Sequence, residues 1–244
     1  NTAAGVLGGS NFAGYIIGVV FVTVLAGRAE PIQLMRAGLV ISAAALFLLA
    51  IAPSFLVLGI GVWLAGFGGA GIWVTAPALA TANVPASRRG AVLGALTATM
   101  GIALLLLSQG TTLFRKIVDN DDAWRPIFGI EAAVTVAILV AVFVLVRPTA
   151  TAQQSQRGTL FSARALRSIP GWLLLVVCYT SFSALAGAWT QFLGLALKED
   201  AGFSSAHVNN LFSVFAVCGI FGPLLMGRLS DRIGRDRALA IAAA

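Results

Sequence analysis

Residues 222–237 read Gly-Pro-Leu-Leu-Met-Gly-Arg-Leu-Ser-Asp-Arg-Ile-Gly-Arg-Asp-Arg, a charged turn between two apolar runs. Gly227 would let two helix ends approach closely, and Gly234 permits the positive φ of a sharp turn. Asp231 is an acid among four arginines, where it can bond a helix N-terminus or a basic partner. Taken alone, this stretch would also suit an ordinary basic turn between two membrane helices.

The composition points to a membrane protein. The 244 residues are 59% hydrophobic and only 10% charged, which excludes an ordinary water-soluble domain. The apolar runs are about 20 residues long, the length of a membrane-spanning helix, and they do not alternate as barrel strands do. We therefore predict an all-α, polytopic membrane helix bundle whose main partner is the lipid bilayer.

The charges and cysteines exclude other classes. The net charge of +7 comes from arginines in short loops between apolar runs, which orient a membrane protein, so we expect no nucleic-acid partner. Cys178 and Cys218 both lie inside apolar runs, which disfavours a disulfide framework or a metal site. No sequence motif of a hydrolase, a zinc protease or a phosphate-binding loop occurs, so we expect no enzymatic activity.

The apolar runs predict seven full spans and the start of an eighth. The one long polar connection, residues 147–169, divides the chain into a first half-bundle at 1–146 and the start of a second at 170–244. Within the connection, residues 162–168 could form a short surface helix. The chain is expected to be a fragment of a longer protein. The predicted spans cover residues 3–26, 37–51, 55–80, 91–113, 125–146, 170–197 and 206–226, and the eighth begins at residue 238.

The loop charges predict an orientation. Alternate loops, including the one that contains Asp231, hold 12 of the 16 lysines and arginines. Because cytoplasmic loops are enriched in Lys and Arg, this set of loops is predicted to face the cytosol. The predicted location is the inner (plasma) membrane.

Two stretches carry a family resemblance. Gly227, Asp231, Arg232, Gly234, Arg235 and Arg237 follow a G-x-L-x-D-R-x-G-R-x-R pattern that resembles the cytoplasmic signature loop of the major facilitator superfamily of transporters. Residues 83–90, with the ending P-x-x-R-R-G, are similar to that family's loop between helices 4 and 5. The resemblance implies helices 2–6 before the central cytoplasmic loop, then helices 7 and 8 and the start of helix 9.

Three features depart from the family pattern. Residues 27–33 retain only a trace of the first-half signature loop, and Val62 stands where an arginine linked to proton coupling often precedes a glycine by four residues. The predicted helix 5 has Gly94 and Gly101 but no Gly-Pro motif, so no antiporter subgroup is assigned.

The resemblance implies a function. We expect secondary active transport of a small-molecule solute by alternating access, coupled to an ion. A proton is the candidate ion, no cofactor is expected, and the protein should be a monomer. The first alternative is an integral membrane enzyme, and the second is a channel or a receptor-like protein without transport; neither explains the Asp231 loop.

Candidate cavity residues follow from helix faces. The family places helix 7 beside the central cavity, and one arc of the predicted helix collects Tyr179, Ser183, Thr190 and Gln191. On the first span, Asn11 and Tyr15 share a face that should look into the bundle, and the pairs Gly5/Gly9 and Gly14/Gly18 suit close helix packing. The alternative is that such small polar groups only join helices.

Glu131 is the one acid inside a span and thus a candidate proton carrier. It lies six residues from the predicted outer end, which favours a structural role. His207 and Asn209 lie at the start of the last full span, where Asn209 and Asn210 are expected to satisfy the helix end.

Overall fold

The computed structural model describes residues 2–26, 28–117, 124–146 and 171–243. The central connection, with its proposed surface helix at 162–168, lies outside the described residues. Within the described ranges the chain forms eight α-helices and one short 3₁₀ turn, Ala86–Arg88. The helices are α1 (Thr2–Leu25), α2 (Pro31–Ile51), α3 (Phe55–Thr81), α4 (Arg89–Ile117), α5 (Trp124–Leu145), α6 (Trp172–Glu199), α7 (Ser205–Ile233) and α8 (Arg235–Ala243).

The predicted helical membrane fold is confirmed. Among the described residues, α1 to α7 are each long and apolar enough to cross a membrane. Large apolar side chains point outward along them, including Val20, Phe47, Leu106 and Val144. Such a surface would be unfavourable in water and suits contact with lipid.

Two helix boundaries differ from prediction by six residues or more. Helix α2 begins at Pro31, six residues early, because Glu30 and Gln33 form a capping box and proline suits the first helical position. Helix α7 continues to Ile233, seven residues beyond the predicted end. The signature stretch is therefore mostly helical, and the turn is limited to Gly234, with φ of 91°. This positive φ confirms the reason given for glycine at that position.

Helix α3 packs between α1 and α2 along glycines. A Cβ added at Gly14 or Gly66 would collide with the backbone of the facing helix, and one at Gly38 would lie 2.6 Å from Gly68 O. Close backbone contact thus replaces large side chains in these interfaces. Gly5 and Gly9 do not make the predicted close contact with any described residue, because no atom lies within 4 Å of a Cβ added at either position.

Helices α2 and α5 run antiparallel and hold each other's ends through two arginines. Arg36, in the second turn of α2, donates from Nη2 to Val146 O at 3.1 Å and stacks over the Phe143 ring. Arg125, at the start of α5, donates from Nη1 to Ala52 O at 2.7 Å. A cation at the carbonyl end of a helix is favourable both as a donor and against the helix dipole.

Helix α4 takes a different partner. Although it lies before the central connection in sequence, its main packing partner is α7, which lies after it. Helix α6 contacts α7 through Trp189, whose ring centroid is 4.6 Å from that of Phe215. The α4/α7 interface therefore joins the two parts of the sequence on either side of residues 147–170.

Candidate functional site: the interface between α4 and α7

Asp231 binds the N-terminus of α4. Its carboxylate accepts the backbone N–H of Gly90 at 2.9 Å and that of Ala91 at 2.8 Å. These two amides belong to the first turn of α4, where backbone N–H groups have no partner within the helix. Asp231, on α7 and 141 residues from Gly90 along the chain, therefore caps the N-terminus of α4 and lies at the positive end of the helix dipole.

The local sequence brings these groups together. Pro85 and the 3₁₀ turn lead into α4, and Arg89 Nε donates to Val84 O at 3.1 Å, which braces the turn. Gly90 and Gly227 lie so close that a Cβ on Gly227 would collide with Gly90 O. The Asp231 side chain is short, so it reaches the α4 amides only because both glycines let the backbones touch.

The middle of the interface is also lined by small residues. A Cβ on Gly94 would collide with Pro223 O, and a Cβ on Gly101 would lie 2.6 Å from Ala216 O. Pro223 lies inside α7 and has no N–H, so the helix lacks one of its internal hydrogen bonds there. The two helices cross backbone to backbone beside this weakened turn.

The other end of the interface carries neutral polar side chains. Ser213 Oγ lies 2.9 Å from Ser108 Oγ and accepts from Gln109 Nε2 at 2.6 Å. Asn209 Nδ2 donates to Thr112 Oγ1 at 2.7 Å. We call Ser108, Gln109, Thr112, Asn209 and Ser213 the Ser213 cluster. We refer to the two ends of the interface as the Asp231 end and the Ser213 end.

The comparison with known families decides the assignment. The family model described as Major Facilitator Superfamily matches residues 1–244. The chain belongs to the major facilitator superfamily. Its members are membrane transporters, so the chain is a multi-pass protein of a transporter family. A search of curated proteins finds no match.

The superfamily's signature residues take distinct positions. Gly227 and Asp231 lie in the α4/α7 interface, and Gly234 makes the turn into α8. Arg232 and Arg235 are exposed. The sequence suggested either a helix N-terminus or a basic side chain as the partner of Asp231. In the structure, Asp231 bonds the N-terminus of α4.

The structure leaves the predicted cavity residues in separate places. Asn11 donates from Nδ2 to Val62 O at 3.1 Å, so its amide joins α1 to α3, and Tyr15 lies on the same part of α1, half-buried. On α6, Ser183 is exposed, and Thr190 Oγ1 donates to Ala186 O of its own helix at 2.8 Å. The side chains of Tyr179 and Gln191 lie outside the described residues.

Glu131 is half-buried on α5. It lies in a groove of about 400 Å³ between α4 and α5, otherwise lined mainly by apolar side chains such as Leu106, Ile127 and Val134. This position is not in the α4/α7 interface, and Glu131 stays a weak candidate for proton transfer.

The Ser213 cluster was missed from the sequence. Asn209 was expected to satisfy the start of its own helix, but Ser204 has that role, accepting from His207 N, and Asn209 reaches α4 instead. The spacing of Ser108, Gln109 and Thr112 places them on one face of α4, which indicates a polar contact there. Only the pairing of α4 with α7 shows what that face meets.

Proposed function

We propose that this protein is a secondary active transporter that moves a small solute by alternating access, with the α4/α7 interface opening and closing at its Asp231 end. The observation that carries the proposal is the Asp231 carboxylate on the α4 N-terminus. It is a bond between the two parts of the chain, and it lies at one end of a helix pair rather than along its length.

The energetics suit a reversible contact. Hydrogen bonds to a charged group contribute about 1.5–3 kcal/mol each, enough to favour the closed end but small enough to exchange for water. The glycine-lined crossing and the missing hydrogen bond at Pro223 favour movement about the middle of the pair. A ligand or ion then needs only a modest difference in affinity between states to shift their populations.

We further propose that the Asp231 end faces the cytosol of a cell with this protein in its inner membrane. The excess of arginine in the same set of loops supports this orientation. In the intact protein, a cysteine at Ser155 should react with an impermeant maleimide only from the cytosolic side, and one at Asn120 only from outside. Reversed labelling would refute the orientation.

The solute is proposed to be neutral or amphiphilic, because the spans carry few charges. One arc of α6, with Tyr179, Ser183, Thr190 and Gln191, is the proposed solute-facing surface. We propose a proton as the coupling ion, a monomeric protein and no cofactor. The support for these points is the family membership together with the polar arc on α6.

The test uses Asp231→Asn in the intact protein. The amide keeps one acceptor oxygen but turns an –NH₂ group toward an N–H donor and removes the charge, so the Asp231 end should close less often. With neutral and amphiphilic solutes screened in proteoliposomes, we expect flux to fall about tenfold or more, the equivalent of about 1.5–3 kcal/mol.

Glu199→Gln is the matched control. It neutralises an exposed acid at the end of α6, away from α4, and should leave flux unchanged. Wild-type flux in Asp231→Asn, at equal membrane abundance, would contradict the proposed role of the Asp231 end.

A further inference from the structure

We propose that Phe12 on α1 selects which solutes fit the solute-facing surface proposed for α6, by setting the size of the apolar part that a solute can place there. This inference rests on the proposed transport function and on the polar arc of α6. Neither the signature motif nor the α4/α7 interface gives Phe12 a role. The substrate class that it implies is a neutral molecule with a flat apolar part and a hydrogen-bonding group.

Phe12 reaches across to α6 and contacts it at a glycine. A Cβ added at Gly187 would lie 3.0 Å from Phe12 Cζ, and 3.6 and 3.7 Å from Cε1 and Cε2. The contact is therefore made by the tip of the ring. The Phe12 side chain is 43% exposed, so much of its aromatic surface is open to another molecule.

Gly187 belongs to the polar arc of α6. At 3.6 residues per turn, Ser183, Gly187 and Thr190 lie within about 60° of one another around the helix. Ser183 and Thr190 are exposed, about one turn on either side of the glycine. The ring of Phe12 therefore lies against the surface that carries the proposed solute-binding hydroxyls, and not against the opposite arc that contains Leu185.

The packing of α1 directs Phe12 away from α3. Gly14 lies in the α1/α3 interface, where an added Cβ would collide with Trp63 O. Phe12 is about 200° around the helix from Gly14, so its side chain leaves α1 on the side away from α3. The close contact of α1 with α3 holds the backbone of Phe12 in place, and only its side chain extends to α6.

The surroundings of the ring favour an uncharged solute. Helix α1 contains no charged residue, and the charges of α6 are confined to Lys198 and Glu199 in its last turn. An exposed aromatic ring beside hydroxyl groups suits a molecule with a flat apolar part that packs on the ring and a polar group that meets the hydroxyls. These features name the solute class more narrowly than the low charge of the spans does.

The contact also limits the room beside the polar arc. Because a Cβ at Gly187 would come within 3.0 Å of the Phe12 ring, a methyl group there would press on the ring and narrow this space. Shortening Phe12 to alanine removes the ring and widens the same space. The two substitutions therefore have opposite effects at one contact.

The test measures this space without relying on transport. In the intact protein with Cys178 and Cys218 replaced by alanine, Ser183→Cys places one thiol on the polar arc, one turn from Gly187. Methyl and benzyl methanethiosulfonate are the probes, and each modifies this thiol in proteoliposomes. The ratio of the benzyl rate to the methyl rate reports the room for a flat apolar group.

Phe12→Ala should raise this ratio about tenfold, the scale on which a small change in an apolar pocket acts. Gly187→Ala should lower it, but should have little effect once Phe12 is alanine, because the two changes act on the same contact. Phe21→Ala and Gly9→Ala are the matched controls and should leave the ratio unchanged. The Phe21 ring lies 5.6 Å from that of Phe67 on α3, and no described atom lies within 4 Å of a Cβ added at Gly9.

The outcomes separate the role of Phe12 from the transport function. An unchanged ratio in Phe12→Ala, an equal rise in Phe21→Ala, or an equal effect of Gly187→Ala with and without the ring would overturn the role of Phe12. If the ratio responds as expected but the wild-type protein moves none of the solutes screened, Phe12 still sets the size of this space and the proposed transport function fails. If benzamide and 2-naphthamide are transported with the same preference in wild type and Phe12→Ala, transport stands and Phe12 does not select the solute.

Discussion

Two helix pairs in this protein are bound at both ends, and they are built from different side chains. In α2/α5, Arg36 and Arg125 each reach across to carbonyl groups at the end of the partner helix. In α4/α7, the bonds are made by short side chains, Asp231 at one end and the Ser213 cluster at the other. The first pair lies within residues 31–146, and the second joins the parts before and after the central connection.

The length of the side chain explains the difference. An arginine on a flexible stem presents five N–H donors, so small movements of α2 against α5 leave some donor in reach of a carbonyl. An aspartate or serine at 2.8–2.9 Å loses its bond when the helices part by about 1 Å. On the proposed function, we therefore expect the α2/α5 pair to move as one unit, and the α4/α7 pair to open and close at its Asp231 end.

The largest effect is expected when the Asp231 end of the α4/α7 interface is held apart. Gly227→Val adds side-chain atoms where Gly90 O already lies, so α4 and α7 cannot close there. We expect transport to be nearly abolished while membrane abundance stays close to wild type. Gly222→Val, on the same helix but facing open space, is the control and should transport normally.

If Gly227→Val lowers membrane abundance as much as it lowers transport, the α4/α7 contact is needed for folding. That result would remove the distinction between the two pairs. Abundance by fluorescence-detected size exclusion, measured beside proteoliposome flux, separates the two cases.

A smaller effect is expected in the α2/α5 pair. Arg125→Leu removes the donor to Ala52 O and the cation at the end of α2, and should lower stability by about 1–2 kcal/mol. Thermal unfolding of the detergent-solubilised protein measures this, with the exposed Arg28→Gln as control. Proteoliposome flux at equal membrane abundance should not change, and a change there would show that the two pairs are not independent.

The smallest effect concerns α6, which lies outside both pairs. If Gln191 meets the solute, Gln191→Ala should raise the half-saturation concentration about fivefold or more, the effect of one lost buried hydrogen bond. Leu185→Ala, on the opposite arc of the same helix and largely exposed, should leave it unchanged. The half-saturation concentration is measured from flux over a series of solute concentrations. If it is unchanged in Gln191→Ala, the polar arc of α6 only joins helices and does not meet the solute.

Much of the architecture could be predicted. Span number and type followed from apolar runs of bilayer length, and the family followed from one motif. The predicted boundary differed where polar residues are helical: Arg228, Ser230 and Asp231 continue α7, which places the Asp231 carboxylate at the N-terminus of α4. The spacing of Gly5 and Gly9 suits helix packing, but no described residue comes within 4 Å of a Cβ added at either one.

Local sequence patterns were enough to predict the membrane helices, the superfamily and an acid that can bond a helix end. Those features depend on hydrophobicity, length and local backbone chemistry, which each segment carries alone. Only the packing of the helices shows which helix Asp231 caps and which polar residues meet at the Ser213 end of the same interface. Gly90 and Ala91 lie 141 and 140 residues from Asp231, and Ser108 lies 105 residues from Ser213. No local pattern specifies contacts between segments so far apart, because they depend on how every helix packs together.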